Sequence, residues 1–134
     1  MLFSEELSAV FTRITNRLSE RCTHDSEPSP LLADALEFFY YFVTFAPLSR
    51  GTAVCGYAAL CAVLRCGGYE ISAPLPRDRQ FDWEAILATD VDGFRATACP
   101  MLSLQRCSTC TELPSVALTF PTLRAMVQVL LRAK

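Results

Sequence analysis

The sequence has little charge. Only 19% of its 134 residues are charged, whereas 51% are hydrophobic, and soluble domains usually carry about a quarter charged residues. The 12 basic and 14 acidic side chains give a net charge of −2, and the basic residues form no run. Nucleic-acid binding requires clustered Lys and Arg, so we expect no nucleic-acid partner. The shortage of charge favours a surface partly covered by a protein partner, a second copy of the chain included.

Membrane-spanning and secretory signals are also missing. A spanning helix needs about 20 continuous apolar residues, and Arg50 divides the longest uncharged stretch. Glu5 and Glu6 stand where a secretory signal carries positive charge. The seven cysteines are odd in number, which favours free thiols in a reducing compartment. The sequence therefore predicts no transmembrane segment and a cytoplasmic protein.

Groups that could carry out catalysis are scarce. His24 is the only histidine, and it lies in a polar stretch typical of a surface loop. Asp82 and Glu84 are two residues apart, so on a helix they would point to different faces. No acid–base pair emerges. The sequence favours a protein that is not an enzyme, with no catalytic residue and no cofactor, without deciding the question.

A zinc site is only half present. Cys107 and Cys110 have the spacing of one pair of zinc ligands, and they are the only metal candidates. The second pair would have to come from Cys99, or from Cys22 with His24, and neither choice gives the paired spacing. We therefore expect no metal, and interpret these thiols as unrelated loop residues.

The longest apolar part of the chain is residues 37–64. No charge occurs between Glu37 and Arg50, and none occurs over residues 51–64. Helices that are apolar on most sides must be surrounded by protein or lipid. This stretch therefore predicts two apolar helices at the centre of the fold.

A short polar elbow, Pro47–Thr52, separates the two apolar helices. Pro47 disfavours helix at the residue before it, so the first of them should end there. Either Thr52 or Ser49 is a suitable N-cap for the second. Gly67 and the glycine after it would end the helix that follows the elbow.

Start and stop signals predict the remaining helices. Ser4 would cap a first helix, in which an apolar stripe consists of Leu7, Val10, Phe11, Ile14 and Leu18. The second helix should cover residues 30–45. Asp82 should cap one short helix, in which Trp83 packs inward. Asp90 should cap a second short helix. Residues 69–79 predict a loop or an extended segment for which we find no strand partner.

The predicted fold is therefore all-α. We expect a single globular domain over residues 1–134, with five or six helices around a central apolar helical hairpin. Its core should lie in residues 30–99. A C-terminal helix over residues 121–133 should carry an apolar stripe formed by Leu123, Met126, Val127, Leu130 and Leu131.

The elbow residues Ser49, Arg50, Gly51 and Thr52 offer one candidate for binding an anion. A helix N-terminus presents unpaired N–H groups, and an adjacent arginine can hold a carboxylate or phosphate. The alternative is that Arg50 forms an ion pair that locks the elbow, its candidate partners being Asp34, Glu37, Asp82 and Glu84. We favour this alternative because no glycine-rich loop with an accompanying lysine is present.

Several segments together resemble a known family. They are the aromatic run at residues 39–43, the elbow at 46–53 with its Pro-Leu-Ser-Arg-Gly-Thr-Ala sequence, Gly56-Tyr57 and Asp82-Trp83-Glu84-Ala85-Ile86-Leu87. The pattern is similar to the C-terminal region of the tetratricopeptide repeat protein 13 and suppressor of rps4-RLD family. Pro47, Tyr57 and Trp83 are the centre of this motif. Members carry tandem helical repeats ahead of this region, and the present chain has none.

The resemblance implies a helical regulatory or scaffolding module and assigns no catalytic residue. A fainter likeness is to Fic-type nucleotidyl transferases, whose His-Pro-Phe motif overlaps Ala46-Pro47-Leu48. Ala46 replaces the histidine that would act as base, so such a domain would be a degenerate one. Our functional hypothesis is a non-enzymatic protein-interaction or scaffolding module. The alternative is a small-ligand or phosphate-binding domain that uses the Arg50 elbow.

Overall fold

The protein is mostly helical in the computed structural model, which describes residues 2–20 and 29–107. This confirms the all-α prediction. In chain order the elements are α1 (Leu2–Glu20), α2 (Ser29–Phe45), α3 (Thr52–Cys66), β1 (Tyr69–Ile71), α4 (Phe81–Leu87), α5 (Val91–Ala98), a 3-10 turn (Cys99–Met101) and β2 (Leu104–Arg106). The predicted helix 121–133, His24 and Cys110 lie outside the described residues.

Helix α2 lies at the centre of the described fold. It packs against α1, α3, α4 and α5. Phe39, in its middle, is buried, and its ring lies 5.0 Å from that of Phe81 and 5.8 Å from that of Phe94, centroid to centroid. Because α2 has no charged residue after Glu37, it can be surrounded on every side of its second half without burying a charge.

Helix α3 flanks this centre, which corrects part of the sequence prediction. Its inner face packs on α2 through Gly56, Leu60 and Leu64, which are buried. At Gly56 the helices approach closely, since a Cβ there would lie 3.2 Å from the Phe42 ring. The opposite face is exposed, with Val54 at 74%. An apolar sequence therefore did not ensure burial on all sides.

The elbow between α2 and α3 is built from unusual backbone. Ala46 has a φ of 43° and Gly51 a φ of 76°, both in the left-handed region. Gly51 is the N-cap of α3 and offers no side-chain cap. The predicted cap by Thr52 or Ser49 is therefore wrong. Thr52 is the first helical residue, and its hydroxyl donates to the Leu48 carbonyl at 3.1 Å.

The extended segment after α3 does have a strand partner. β1 pairs antiparallel with β2, with Tyr69 opposite Arg106 and Ile71 opposite Leu104. This pairing was not predictable from the sequence because the two three-residue strands are far apart in the chain and carry little periodicity. The pairing places the end of the described chain beside the C-terminal end of α3.

Other local predictions had mixed outcomes. The starts after Asp90 and at the beginning of α2 are confirmed, and the Asp90 carboxylate accepts from the Gly93 N–H at 2.8 Å. The predicted Ser4 cap is wrong because α1 begins at Leu2. Asp82 is not the cap of α4, which begins at Phe81.

Two aromatic side chains predicted to pack inward are exposed instead. Phe11 is 58% exposed on α1, where Val10 and Ile14 face Leu31 of α2. Trp83 is 54% exposed on α4, where Phe81 and Ala85 face the core. In each case the helix buries a narrower stripe than the sequence pattern suggested.

We predict that Phe39→Ala lowers the free energy of unfolding by about 3–5 kcal/mol, because it removes a fully buried ring and leaves a cavity. Chemical denaturation of the 134-residue chain measures this change. The matched control is Phe11→Ala, the same substitution at an exposed site, for which we expect about 0.5 kcal/mol or less. Equal effects of the two substitutions would contradict the placement of α2.

Candidate functional site

The elbow residues face solvent. Pro47, Ser49, Arg50 and Gly51 are exposed, and Thr52 is half-buried. The ion pairs of residues 2–20 and 29–107 include none with Arg50. No observation in this part of the chain favours the Fic-like alternative, because an exposed guanidinium beside a helix N-terminus is not by itself a binding site.

Two of the four carboxylates expected to hold Arg50, those of Asp34 and Glu37, are bound by other arginines. Asp34 is buried and receives Arg17 and the Arg13 Nε, the latter at 3.3 Å from Oδ1. The Glu37 Oε2 lies 2.7 Å from the Arg13 Nη2 and 2.6 Å from the Arg95 Nη2. The predicted elbow lock through Asp34 or Glu37 is therefore wrong, since both acids already have partners.

This arginine–carboxylate cluster joins three helices. Arg13 and Arg17 belong to α1, the acids to α2, and Arg95 to α5. Arg95 also donates to the Ala33 carbonyl at 3.2 Å. The hydrogen bond that Arg13 donates to the Glu37 carboxylate is the main cause of a raised pKa at Arg13. Each charged group has opposite charges beside it, so the cluster fixes helix positions and leaves no free acid or base.

A sequence signal for this cluster existed. Arg13 and Arg17 are four residues apart on α1, and Asp34 and Glu37 are three apart on α2. Such spacings place each pair on one face of its helix. The sequence does not show that the face of α1 with the two arginines packs against the face of α2 with the two acids.

The motif residues Pro47, Tyr57 and Trp83 have different surroundings. Pro47 is exposed in the elbow and Trp83 is exposed on α4. The Tyr57 ring packs edge-on against Phe81 at 5.7 Å. Burial raises the pKa of Tyr57 and that of the nearby Cys61 thiol.

Helix α4 carries the most exposed cluster of large apolar side chains on one short element. Trp83, Ile86 and Leu87 are 54%, 51% and 73% exposed. Their spacing of three and four residues places them on one helix face. We call these three residues the α4 patch. Asp82 and Glu84 belong to the same helix, so carboxylates lie near the patch.

Helix α3 presents a second exposed apolar surface. It follows the fourfold spacing of Val54, Ala58, Ala62 and Cys66, with Cys55 beside the first of them, and all five are exposed. We call these five residues the outer α3 face. Arg65 is the only charged side chain of this helix, and it pairs with Glu70 at 3.8 Å.

The cysteines considered as metal ligands lie on different elements or outside the described residues. Cys107 follows β2, Cys99 lies on the 3-10 turn, and Cys110 lies outside the described residues. Among residues 2–20 and 29–107 no group of three or more His, Cys, Asp or Glu side chains could hold a metal ion. No helix in the same residues is long and apolar enough to cross a membrane.

Comparison with known proteins confirms the resemblance seen in the sequence. Over 59 residues the chain is 41% identical to Suppressor of RPS4-RLD 1 of Arabidopsis thaliana, a match covering 44% of this chain and 6% of that protein. Over 73 residues it is 38% identical to human Tetratricopeptide repeat protein 13, covering 54% of this chain and 8% of that protein. The matched part of the chain therefore corresponds to less than a tenth of either relative. No family model and no solved structure matches it.

Neutralising Asp34 should weaken the fold. We predict that Asp34→Asn lowers the free energy of unfolding by about 1–3 kcal/mol, because a buried acceptor for Arg13 and Arg17 loses its charge. The arginine side chains are 43% and 42% exposed, so they can turn to water, which limits the loss. Chemical denaturation measures it.

Arg50→Ala is the control for this prediction and should leave the free energy of unfolding unchanged. A loss at Arg50 comparable to that at Asp34 would restore the elbow lock and contradict the cluster described above.

Proposed function

We propose that this chain is a non-enzymatic protein-interaction module that binds its partner through the α4 patch. The observation that supports this most is the exposure of Trp83, Ile86 and Leu87 on a helix whose other face packs in the core. Water-exposed apolar surface of this kind is typical of interaction sites. Tryptophan in particular is enriched among the residues that supply most of an interface's binding energy.

Trp83, Ile86 and Leu87 are not among the core residues of the described chain. Phe81 and Ala85 already provide the packing of α4 against the core. Ile86 and Leu87 point away from it and are more than half exposed. Substitutions in the patch should therefore change binding without changing stability, which separates this proposal from a structural role.

The charges near the patch indicate the chemistry of the partner. Asp82 and Glu84 are acidic and belong to α4, the helix that carries the patch. Opposite charges around an apolar contact increase the association rate and exclude wrong partners. The partner surface should therefore be an apolar groove with basic residues at its rim.

The relatives suggest which class of partner this is. The patch lies in the Asp82–Leu87 segment that carries part of the resemblance, and one relative is named for tetratricopeptide repeats. Helical repeats present extended concave binding surfaces. We propose that the module packs against such a repeat surface as a scaffolding element. The free cysteines Cys55, Cys61, Cys66, Cys99 and Cys107 support a cytoplasmic location, where thiols stay reduced.

Binding in trans to a repeat protein tests the proposal. The bait is human Tetratricopeptide repeat protein 13 without the 73-residue segment similar to this chain, and the analyte is the 134-residue chain. We expect specific binding that Trp83→Ala weakens at least about tenfold, as for the removal of a central aromatic anchor. Biolayer interferometry measures the dissociation constants.

Phe11→Ala is the matched control, because it removes another half-exposed aromatic side chain far from α4 in sequence. It should leave the dissociation constant unchanged. Absence of binding, or equal weakening by both variants, would contradict the proposed function.

A further inference from the structure

The outer α3 face has the character of a buried surface although it is exposed among the described residues. Val54, Ala58, Ala62 and Cys66 succeed one another at four-residue intervals, so they form one continuous stripe. The stripe is about 18 Å long at 1.5 Å per residue. Arg65 is the one charged side chain of α3, and a helix that is otherwise apolar is normally covered on most of its sides.

This face differs from the α4 patch in its surroundings. Acidic residues belong to the same helix as the α4 patch, whereas α3 contains one charged residue, Arg65, which pairs with Glu70. Transient interfaces have a polar rim, and surfaces that stay covered are more apolar. The outer α3 face therefore suits a permanent neighbour, and the α4 patch suits an exchanging one.

The described chain ends next to this face. The Cys107 N–H donates to the Gly68 carbonyl at 2.9 Å, and Gly68 is two residues beyond the last residue of α3. Residues 108–120 can span up to about 40 Å when extended, at about 3.3 Å per residue. Residues 121–133 can therefore reach any point of the outer α3 face without displacing β2.

Residues 121–133, which follow this connection, contain an apolar stripe in their sequence. It consists of Leu123, Met126, Val127, Leu130 and Leu131. Ala58 and Ala62 are small, so larger side chains of a neighbouring element can fill the space above them. Both surfaces would remove apolar area from water, which is the main favourable term in association.

We propose that residues 121–133 form a helix that packs on the outer α3 face of the same chain and completes a single domain over residues 1–134. The tether through residues 108–120 favours this intramolecular contact, because short linkers give effective concentrations in the millimolar range. The contact is independent of the α4 patch and of the partner proposed above.

Two thiols report on this contact. Cys55 and Cys66 lie on the outer α3 face, near its two ends, and Cys99 is an exposed reference on the 3-10 turn. Cys55, Cys66 and Cys99 are all exposed among the described residues. An uncovered Cys55 or Cys66 should therefore react with N-ethylmaleimide about as fast as Cys99, because the reagent reaches all three thiols equally well.

Labelling of the folded 134-residue chain, with mass spectrometry of each thiol, tests the proposal. We expect Cys55 and Cys66 to react at least about tenfold more slowly than Cys99 if a helix covers them. In a Leu123→Asp, Leu130→Asp double variant they should react as fast as Cys99, whose own rate should not change. The matched control is Ala125→Asp, which lies on the opposite side of the predicted stripe and should preserve protection.

Two outcomes would overturn the proposal. In the unaltered chain, reaction of Cys55 and Cys66 as fast as Cys99 would show that the face is open, whatever the variants do. Protection that disappears on dilution would show that a second copy covers the face, because an intramolecular contact does not depend on concentration.

Discussion

The described fold depends on one constraint, which is the placement of α2. After Glu37 this helix has no charge, so its second half is stable only when other elements cover it. Four helices do so, and the buried rings of Phe39 and Phe94 lie at this junction. The other four α-helices of the described fold are therefore positioned by their contacts with α2, and the β1–β2 pair packs beside α3.

The first half of α2 differs from the second because it carries two carboxylates that need cations beside them. Asp34 and Glu37 lie where α1 and α5 approach, and a carboxylate there is stable only with cations beside it. Arg13 and Arg17 on one side and Arg95 on the other satisfy this need. The same helix therefore combines a charged end that fixes its neighbours with an apolar end that they bury.

Local signals predicted much of the fold, because they act within a few residues. Proline and glycine ended α2 and α3 as expected, and Asp90 began α5. Partner choice between elements was not predictable: the arginines that bind Asp34, the pairing of β1 with β2 and the exposed side of Trp83 depend on tertiary placement. The motif residues could be identified from the sequence. The exposure of the α4 patch to water could not be predicted from it.

The two exposed apolar surfaces result from the same arrangement, since α3 and α4 each use only one face against the core. The placement of α2 should make it the best-protected element of the chain. Native-state hydrogen exchange is the decisive experiment, because amides in the core exchange only through global unfolding. We expect the slowest exchange over residues 36–43. Slower exchange in α3 than in α2 would contradict the central position of α2.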